Sequence, residues 1–431
     1  MARDTAAVPL LAGICADAPA SSAFATSPAP RFYWSHPERG LRLAAHGEVT
    51  RREASATGLG SLLTGLWRSD GIVWLDGATD ARPRPPGPWF GAIAFDPTRP
   101  AWPGFAPVRF AAPAVLVWEN GGGRHIAAFA PHGETTRSEL WSRLDAKRRE
   151  LDASAQTGDA DDGHQEPPPA TFRDGRARWE DLVGLALERI HAGELAKVVV
   201  ARSIDVPAVP RTGVVLERLE RAYPSCRTFL LRGDRDAVFL GATPENFCSV
   251  EGSQLRTEAL AGSARPTEAE ALLHRAKDRR EHEWVVDHIV SALREIADEV
   301  RAPPSPSIRL LANVAHLATP ISARLRHGAG VAEVVAALHP TPAVGGVPAT
   351  AAVQFLERHE RIHRGLYAGL VGFVGPGRAE LAVALRCALV SRGIARLFLG
   401  AGIVEGSSAE SEWVETQLKA RALLDALEGS A

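Results

Sequence analysis

The sequence predicts a protein that mixes α-helices and β-strands, and three observations support this fold class. Between residues 31 and 131, short aromatic and β-branched runs alternate with Gly, Asn and Pro turns, which is typical of antiparallel strands. After residue 170, amphipathic helical segments alternate with apolar strand segments. Hydrophobic residues make up 45% of the chain and charged residues 23%, which is the composition of an ordinary globular protein.

The individual elements follow from the period of the apolar residues. Antiparallel strands are predicted within 31–49, 88–97 and 113–131. In the second half, the 3.6-residue period predicts helices, and compact apolar runs predict strands. The helices are predicted over 178–194, 283–300, 331–339 and 411–427, and the strands over 197–206, 237–242, 381–390 and 395–402.

Length and composition also bear on the domain organisation. A chain of 431 residues can form one large αβ domain or two to three ordinary domains. Residues 1–30 lack periodicity and are predicted to be a disordered tail. Residues 154–170 combine acidic residues, Gly and three consecutive prolines, and this composition predicts a flexible surface excursion.

Charge and cysteine content exclude several classes of protein. The formal net charge is -2, so the chain carries no overall basic surface for nucleic acid or an anionic membrane. The four cysteines lack paired spacing, which argues against a disulfide framework or a zinc knuckle. The apolar run near the N-terminus lacks the basic flank of a signal peptide, and no run is long enough to span a bilayer. We therefore expect a cytoplasmic protein.

Two acidic stripes indicate a site for a divalent metal. Asp278 and Glu281 are three residues apart in the segment KDRREHEW, on one face if that segment is helical, whereas Glu412, Glu415 and Lys419 share one face of a predicted helix. Magnesium prefers a few carboxylate oxygens together with water and an anionic substrate. Two such stripes that face each other would form a magnesium site, although either stripe alone is more often a solvated helix face.

The glycines near the C-terminus indicate a close approach of the backbone to a ligand. Gly400, Gly402 and Gly406 follow a predicted strand, but only 25 residues remain after Gly406, too few for a dinucleotide-binding βαβ unit. Glycines without side chains would instead let backbone amides approach an anionic group. A zinc hydrolase is disfavoured because His282 and His288 lack the spacing of the zinc-binding helix motif.

Lys197 and Glu245 are the candidate base and acid. Each lies at the end of a predicted strand, where such residues are most often exposed surface groups. If they catalyse proton transfer near neutral pH, the pKa of the lysine must fall and the pKa of the glutamate must rise. Burial shifts both in the required direction, so this pair would belong in a closed pocket.

Nine motifs are spread over residues 176–424 in this order: KVVVAR, FLGATPENF, TEALAGSARP, KDRREHEWVVD, HLATPI, LHPTPAVGGVP, GLYAGLVGFV, LAVALRCALV and GAGIVEGSSAESEWVETQLKAR. In sequence and order they resemble the motifs of the chorismate-utilising enzymes, and most closely those of isochorismate synthases. The resemblance implies an α+β fold in which one chorismate-binding domain, over 31–429, stacks two antiparallel sheets between flanking helices. It also implies a cleft on one side where Mg²⁺ supports the reversible isomerisation of chorismate to isochorismate.

The resemblance assigns roles to residues of this chain. It makes Lys197 the base that activates water and Glu245 the general acid. The metal-binding residues that it implies are Glu281 and Glu415, with Asp278 and Glu412 holding the metal's waters. The substrate-binding residues that it implies are Gly262, Ser263, His316, Ala343, Tyr367, Arg386, Gly402 and Lys419. An alternative interpretation remains for three of these residues. Arg386 could form an ordinary salt bridge, and Tyr367 and His316 could simply pack in the core.

Departures from related families help to choose the reaction. Ala261 stands where relatives that form a covalent adduct carry a lysine, and Lys197 is absent from relatives that add ammonia. Ala343 and Ala349 replace a threonine and a lysine that are common in sister families, which favours isomerisation without loss of pyruvate. Salicylate synthase is the alternative, and a catalytically silent chorismate-binding protein is a third possibility. The resemblance favours a monomer with a small-molecule substrate, and leaves the pathway open between siderophore, salicylate-derived and menaquinone synthesis.

Overall fold

A computed structural model describes residues 11–17, 30–68, 72–75, 84–121, 123–157, 175–208 and 211–428 of the chain. The helices within these ranges are α1 (Ala56–Arg68), α2 (Arg137–Thr157), α3 (Arg176–His191), α4 (Thr212–Ala222), α5 (Ala269–Leu272), α6 (Ala276–Ile296), α7 (Val331–Leu338), α8 (Ala349–His359) and α9 (Ala409–Glu428).

The strands come in two groups along the chain. The first half contributes β1 (Leu11–Asp17), β2 (Phe32–His36), β3 (Leu41–His46), β4 (Thr50–Ala54), β5 (Ile72–Trp74), β6 (Trp89–Ile93), β7 (Val108–Ala112), β8 (Val115–Asn120) and β9 (Arg124–Pro131). The second half contributes β10 (Lys197–Pro207), β11 (Arg227–Arg232), β12 (Val238–Thr243), β13 (Asn246–Glu251), β14 (Gln254–Ala264), β15 (Ala297–Arg301), β16 (Ser307–Leu310), β17 (Ala315–Leu325), β18 (Gly346–Val347), β19 (Leu370–Gly375), β20 (Arg378–Val383), β21 (Cys387–Ser391) and β22 (Ile394–Val404).

These strands form two large sheets within the described ranges. The first sheet has the order β18-β10-β22-β21-β12-β11-β2-β3-β8-β9-β1-β5. The second has the order β15-β17-β14-β13-β20-β19-β6-β7-β4, and β16 pairs with β17. Strands from both halves of the chain are neighbours in each sheet, since β2 pairs with β11 and β6 pairs with β19. The predicted α+β class is confirmed, and the two sheets are antiparallel except where β1 pairs with β5 in parallel.

The core between the sheets is built from aromatic side chains. Trp34 of the first sheet meets Phe373 of the second edge to face, with ring centroids 6.2 Å apart, and the Phe32 and Phe90 rings are 5.1 Å apart. Such pairs bury large apolar areas and prefer tilted or edge-on geometry. The two sheets therefore stack face to face around one continuous core.

Alternating side chains let the first sheet bury both of its faces. Phe229 points into the core between the sheets, whereas its neighbour Leu230 packs in a second cluster with residues of α4 and α9. A third cluster lies between α2 and the strands β1, β8 and β9. This alternation is the two-residue period of a strand. Helices thus cover the outer face of the sheet, as the resemblance implied.

Part of the predicted N-terminal tail is ordered, so the prediction of disorder over residues 1–30 is wrong for Leu11–Asp17. This segment is β1, and it pairs with β9 over its whole length and with β5 over three residues. All of its residues except Asp17 are buried. The run shows no alternation of apolar and polar residues, because both faces of this strand are covered by other elements. Residues 1–10 and 18–29 lie outside the described residues.

Three further boundaries differ from the prediction. The helix predicted over 283–300 ends at Ile296, and the next residues form β15, which pairs with β17. The strand predicted over 381–390 is two strands, separated at Arg386, whose φ is +47°. The predicted excursion at 154–170 begins inside α2, which extends to Thr157. The remainder of that excursion lies outside the described residues.

No helix in the described part of the chain combines the length and the apolar composition that a bilayer span requires.

Candidate active site

A cavity opens where the two sheets meet α6 and α9. Concave pockets of this kind are the usual location of small-molecule sites. Twelve of the fourteen residues singled out from the sequence line it: Lys197, Glu245, Gly262, Ser263, Glu281, His316, Ala343, Tyr367, Arg386, Gly402, Glu415 and Lys419. The other two, Asp278 and Glu412, are buried next to this lining on the same two helices. The structure therefore brings the predicted set together.

Lys197 is the first residue of β10, and its side chain is only 1% exposed. Its Nζ atom lies 2.9 Å from Oε1 of Glu281 on α6. The neighbouring strand β22 leaves room for this contact because Gly402 has no side chain. A methyl group at Gly402 would lie 3.2 Å from Cε of Lys197 and 2.5 Å from Oε1 of Glu281. The interpretation of Lys197 as an exposed strand-end residue is wrong.

Glu245 lies in the short connection between β12 and β13, and it is 5% exposed. Burial and the neighbouring charge of Glu258 raise the pKa of its carboxyl group to about 8, although Lys197 and Lys419 act in the opposite direction. At neutral pH the carboxyl group is therefore mostly protonated and can donate a proton. The prediction that burial raises the pKa of this glutamate is confirmed.

A β-bulge follows Glu245 directly. In β13, Asn246 lies opposite Ala382 whereas Cys248 lies opposite Leu381, so one extra residue interrupts the register. Bulges bend a strand and change the direction in which adjacent side chains point. The backbone N–H of Glu245 also donates to Oγ1 of Thr243, at 3.3 Å. The hydrogen bond to Thr243 and the bulge at Asn246 thus fix the backbone on the two sides of Glu245.

Arg386 projects into the cavity from the break between β20 and β21. Its φ of +47° is in the left-handed region, which a non-glycine residue adopts only when its surroundings enforce it. Its Nη2 lies 3.1 Å from Nε2 of His316. Its Nη1 is buried and has no hydrogen-bond partner within the described residues. An unpartnered guanidinium nitrogen at a cavity wall is suited to bind a carboxylate.

His316 on β17 holds Arg386 in place. Its Nδ1 lies 3.0 Å from the carbonyl oxygen of Gly262, which can only accept a hydrogen bond, so this network assigns the proton to Nδ1. Nε2 then accepts from Arg386. Burial, Arg386 and Lys419 lower the pKa of His316 well below its usual value, which agrees with a neutral ring. His316 thus contacts Arg386 at the cavity wall, and its role in substrate binding stays a prediction.

Tyr367 and the glycines of β22 shape the floor of the cavity. The Tyr367 ring stacks on Phe398 with centroids 5.3 Å apart, and its hydroxyl would lie 2.5 Å from a methyl group at Gly400. Gly400 and Gly402 thus make room for the Tyr367 hydroxyl and the Glu281 carboxylate. That Gly400 and Gly402 admit a ligand to backbone amides stays a prediction, whereas Gly406 lies in a turn outside the cavity lining, with φ of +84°.

The two acidic stripes face lysines as well as each other. Glu412 pairs with Lys277 at 2.8 Å, and Glu415 pairs with Lys419 at 2.5 Å. Burial, Glu281 and, from the other helix, Glu415 raise the pKa of Asp278 to about 6. Burial and Glu415 likewise raise the pKa of Glu412. The carboxylates of the two helices are therefore close enough to repel one another, and the stripes are not solvated faces.

The donor set suits a hard divalent cation, although the side chains as they lie do not enclose one. Among the described residues, no group of three or more His, Cys, Asp or Glu side chains is arranged to hold a metal ion. Glu281 and Glu415 nevertheless line the same cavity from α6 and α9. Mg²⁺ prefers oxygen ligands, and it binds best where carboxylates outnumber the cations that neutralise them.

Sequence reasoning missed three groups that support this site. Lys277 pairs with Glu412, Glu258 pairs with Arg309 beside Glu245, and Arg364 pairs with Glu360. Nη2 of Arg364 also donates to the carbonyl oxygen of Val199 at 2.7 Å. A charged residue inside an apolar strand, such as Glu258 in TEALAGS, was the available signal.

The sequence matches the profile of the family described as "Chorismate binding enzyme" over residues 18–428. This chain belongs to the chorismate-binding enzyme family. The resemblance drawn from the nine motifs is thereby confirmed. Membership in this family also agrees with the cavity, since its lining contains the residues to which the motifs assign roles.

Several relatives within the family are similar to this chain. The salicylate biosynthesis isochorismate synthase of Pseudomonas aeruginosa is 39% identical over 262 residues, which are 58% of this chain and 55% of that protein. The isochorismate synthase EntC of Escherichia coli K12 is 36% identical over 258 residues, or 57% of this chain and 66% of that protein. The chain thus matches somewhat over half the length of these curated relatives.

A solved structure extends the similarity over the whole fold. The menaquinone-specific isochorismate synthase MenF of Escherichia coli aligns with a TM-score of 0.75 at 27% identity, covering 98% of this chain and 95% of that chain. The chorismate-binding fold therefore includes both sheets.

Proposed function

We propose that this protein is an isochorismate synthase, which converts chorismate to isochorismate by adding water at carbon 2 and releasing the hydroxyl group from carbon 4. One observation carries the proposal. Lys197 and Glu245 are both buried and line one cavity, and the pKa of the Glu245 carboxyl group is raised to about 8. A hydration coupled to loss of a hydroxyl group needs one proton acceptor and one proton donor, and we assign these roles to Lys197 and Glu245.

The substrate would be held through its two carboxylates. The free Nη1 of Arg386 is suited to one of them, since a guanidinium group binds carboxylates through paired hydrogen bonds. Lys419, whose Nζ donates to the Gly400 carbonyl at 3.0 Å, supplies a second cation. Gly262, with φ of +71° at a bulge in β14, turns the backbone at the cavity wall. These groups orient the ring between Lys197 and Glu245.

The proposed proton transfers balance within the site. Lys197 accepts a proton from a water molecule as the oxygen of that water bonds to carbon 2. The ring double bonds shift, the bond between carbon 4 and its oxygen breaks, and Glu245 protonates the leaving hydroxyl group. Water has then been gained and lost once each, so the product is an isomer of the substrate. Reversal uses the same two groups with their roles exchanged.

The metal would be bound by Glu281 and Glu415, with Asp278 and Glu412 holding its waters. A bound Mg²⁺ supplies positive charge that neutralises a substrate carboxylate and the acidic cluster. Charge balance supports this assignment. The four carboxylates face Lys197, Lys277 and Lys419. The four carboxylates outnumber these three lysines, and the excess of negative charge favours a divalent cation.

Product analysis tests the proposal. The purified protein is incubated with chorismate and Mg²⁺, and the products are separated chromatographically at several times. We expect isochorismate to accumulate until it reaches equilibrium with chorismate. Salicylate and pyruvate formed without any other enzyme would instead identify a salicylate synthase. Unchanged chorismate would contradict both proposals and leave a protein that only binds it.

A further inference from the structure

A buried ion pair lies beside the candidate acid and has no role in the scheme above. Glu258 on β14 has a side chain that is 7% exposed, and Arg309 on β16 has one that is 34% exposed. Nη2 of Arg309 lies 2.8 Å from Oε2 of Glu258, and Nη1 lies 3.0 Å from Oε1. This two-pronged geometry gives an arginine–carboxylate pair a fixed orientation.

The same ion pair contacts the two peptide groups that flank Glu245. The backbone N–H of Asn246 donates to Oε1 of Glu258 at 3.1 Å. On the other side, Nη1 of Arg309 donates to the carbonyl oxygen of Pro244 at 3.5 Å. The bulge that begins at Asn246 is thus anchored by side chains of β14 and β16, the two strands that pair with β17. A shift of either partner would change where the Glu245 carboxyl group points.

We propose that the Glu258–Arg309 ion pair is a positioning element for Glu245, and that Glu258 supplies the negative charge that keeps this acid protonated. The inference rests on the proposed function, because it assigns a purpose to the pair only if Glu245 donates a proton. Glu258 does not reach the cavity lining. It therefore acts through Glu245 and not on the substrate.

The positive charges around Glu245 explain why a nearby negative charge is needed. Lys197, Lys419 and Arg386 face the carboxyl group from β10, α9 and the loop after β20, and each lowers its pKa. His316 on β17 is neutral because its pKa is lowered well below its usual value. Burial raises the pKa of Glu245 most, and Glu258 is the next largest cause. The cations that bind an anionic substrate would otherwise deprotonate the acid, so Glu258 offsets them.

The test compares the pH dependence of kcat/KM for isochorismate formation in two variants. Glu258→Gln keeps the size of the side chain and the oxygen that accepts from Asn246, but it removes the charge. The pKa of Glu245 then falls, and the alkaline limb of the profile moves to lower pH by on the order of one unit. Arg309→Gln leaves the charge of Glu258 without its cation, so the limb moves to higher pH.

The opposite directions separate this role from a merely structural one. If the pair only stabilised the fold, both variants would lower the rate or the melting temperature without moving the limb. Glu251→Gln, on the exposed end of β13, is the matched control and should leave the profile unchanged. An unmoved limb in Glu258→Gln, or shifts of both variants in one direction, would overturn the inference. A wild-type protein that forms no isochorismate would instead overturn the proposed function.

Discussion

The Nζ atom of Lys197 lies 2.9 Å from a carboxylate oxygen of Glu281, so the candidate base and a candidate metal ligand share one buried ion pair. Lys197 begins a strand of the first sheet, and Glu281 belongs to α6, which packs against β14 of the second. A change at Glu281 therefore alters both the charge next to the base and the proposed metal site.

Replacing Lys197 with alanine should lower kcat for isochorismate formation by roughly 10²–10⁴-fold, which is the usual contribution of a general base. The expected cause is loss of the group that accepts a proton from water. Lys147→Ala is a matched control, because Lys147 is also buried and ion-paired, to Glu150 at 3.0 Å, but lies on α2 away from the cavity. A rate for Lys197→Ala within a few-fold of the control would refute the assigned role.

The wild-type rate should fall as the pH rises above about 8. Glu245 must be protonated to act as the acid, and burial together with Glu258 raises the pKa of its carboxyl group to about 8. Below that pH the acid holds its proton, and above it the proton is lost, so kcat/KM decreases on the alkaline side. Glu245→Gln should lose activity at every pH, because an amide cannot replace the acid. Substantial activity in this variant would show that another group protonates the leaving hydroxyl.

Magnesium should raise the melting temperature of the protein as well as support turnover. A ligand that binds only the folded state stabilises it in proportion to the logarithm of its concentration. Glu281→Gln and Glu415→Gln should each abolish most of this rise, and a chelator should stop turnover by the wild type. Glu405→Gln is the control, since this glutamate pairs with Arg280 on the surface. Full activity in the presence of a chelator would eliminate the metal assignment.

Gly402→Ala should inactivate the protein at little cost in stability. A methyl group at this position would lie 2.5 Å from Oε1 of Glu281, so the carboxylate must move away from Lys197 and the metal site. Gly184→Ala on α3 is the control, because no atom lies within 4 Å of the added methyl group. That substitution should stabilise the helix by up to about 1 kcal/mol. Unchanged kinetics for Gly402→Ala would mean that Glu281 is not confined as described.

The sequence allowed the cavity lining to be predicted well, because the roles follow from local motifs. The i, i+3 spacing of Asp278 and Glu281 gave their common helix face, and the requirement for a neutral acid predicted a buried Glu245. The structure confirms the burial and the raised pKa of that glutamate. The catalytic and metal-binding roles, the single domain over 31–429, the cytoplasmic location and the monomeric state stay predictions.

Long-range contacts account for what the sequence did not predict. Leu11–Asp17 is ordered only because β9 and β5 pair with it and helix α2 covers it. Glu258 and Arg309 are 51 residues apart and meet because both of their strands pair with β17. The left-handed backbone of Arg386 likewise depends on its surroundings and not on its residue type. No periodicity or spacing in the chain encodes these relationships.

The origin of the new hydroxyl group tests the central claim most directly. In the proposed scheme, Lys197 activates a water molecule and Glu245 expels the original hydroxyl of chorismate. Turnover in water enriched in ¹⁸O, followed by mass spectrometry of the isochorismate formed, should reveal one ¹⁸O atom at carbon 2. Isochorismate that carries no label would contradict the account, because the hydroxyl group would then have moved within the substrate without a role for solvent water.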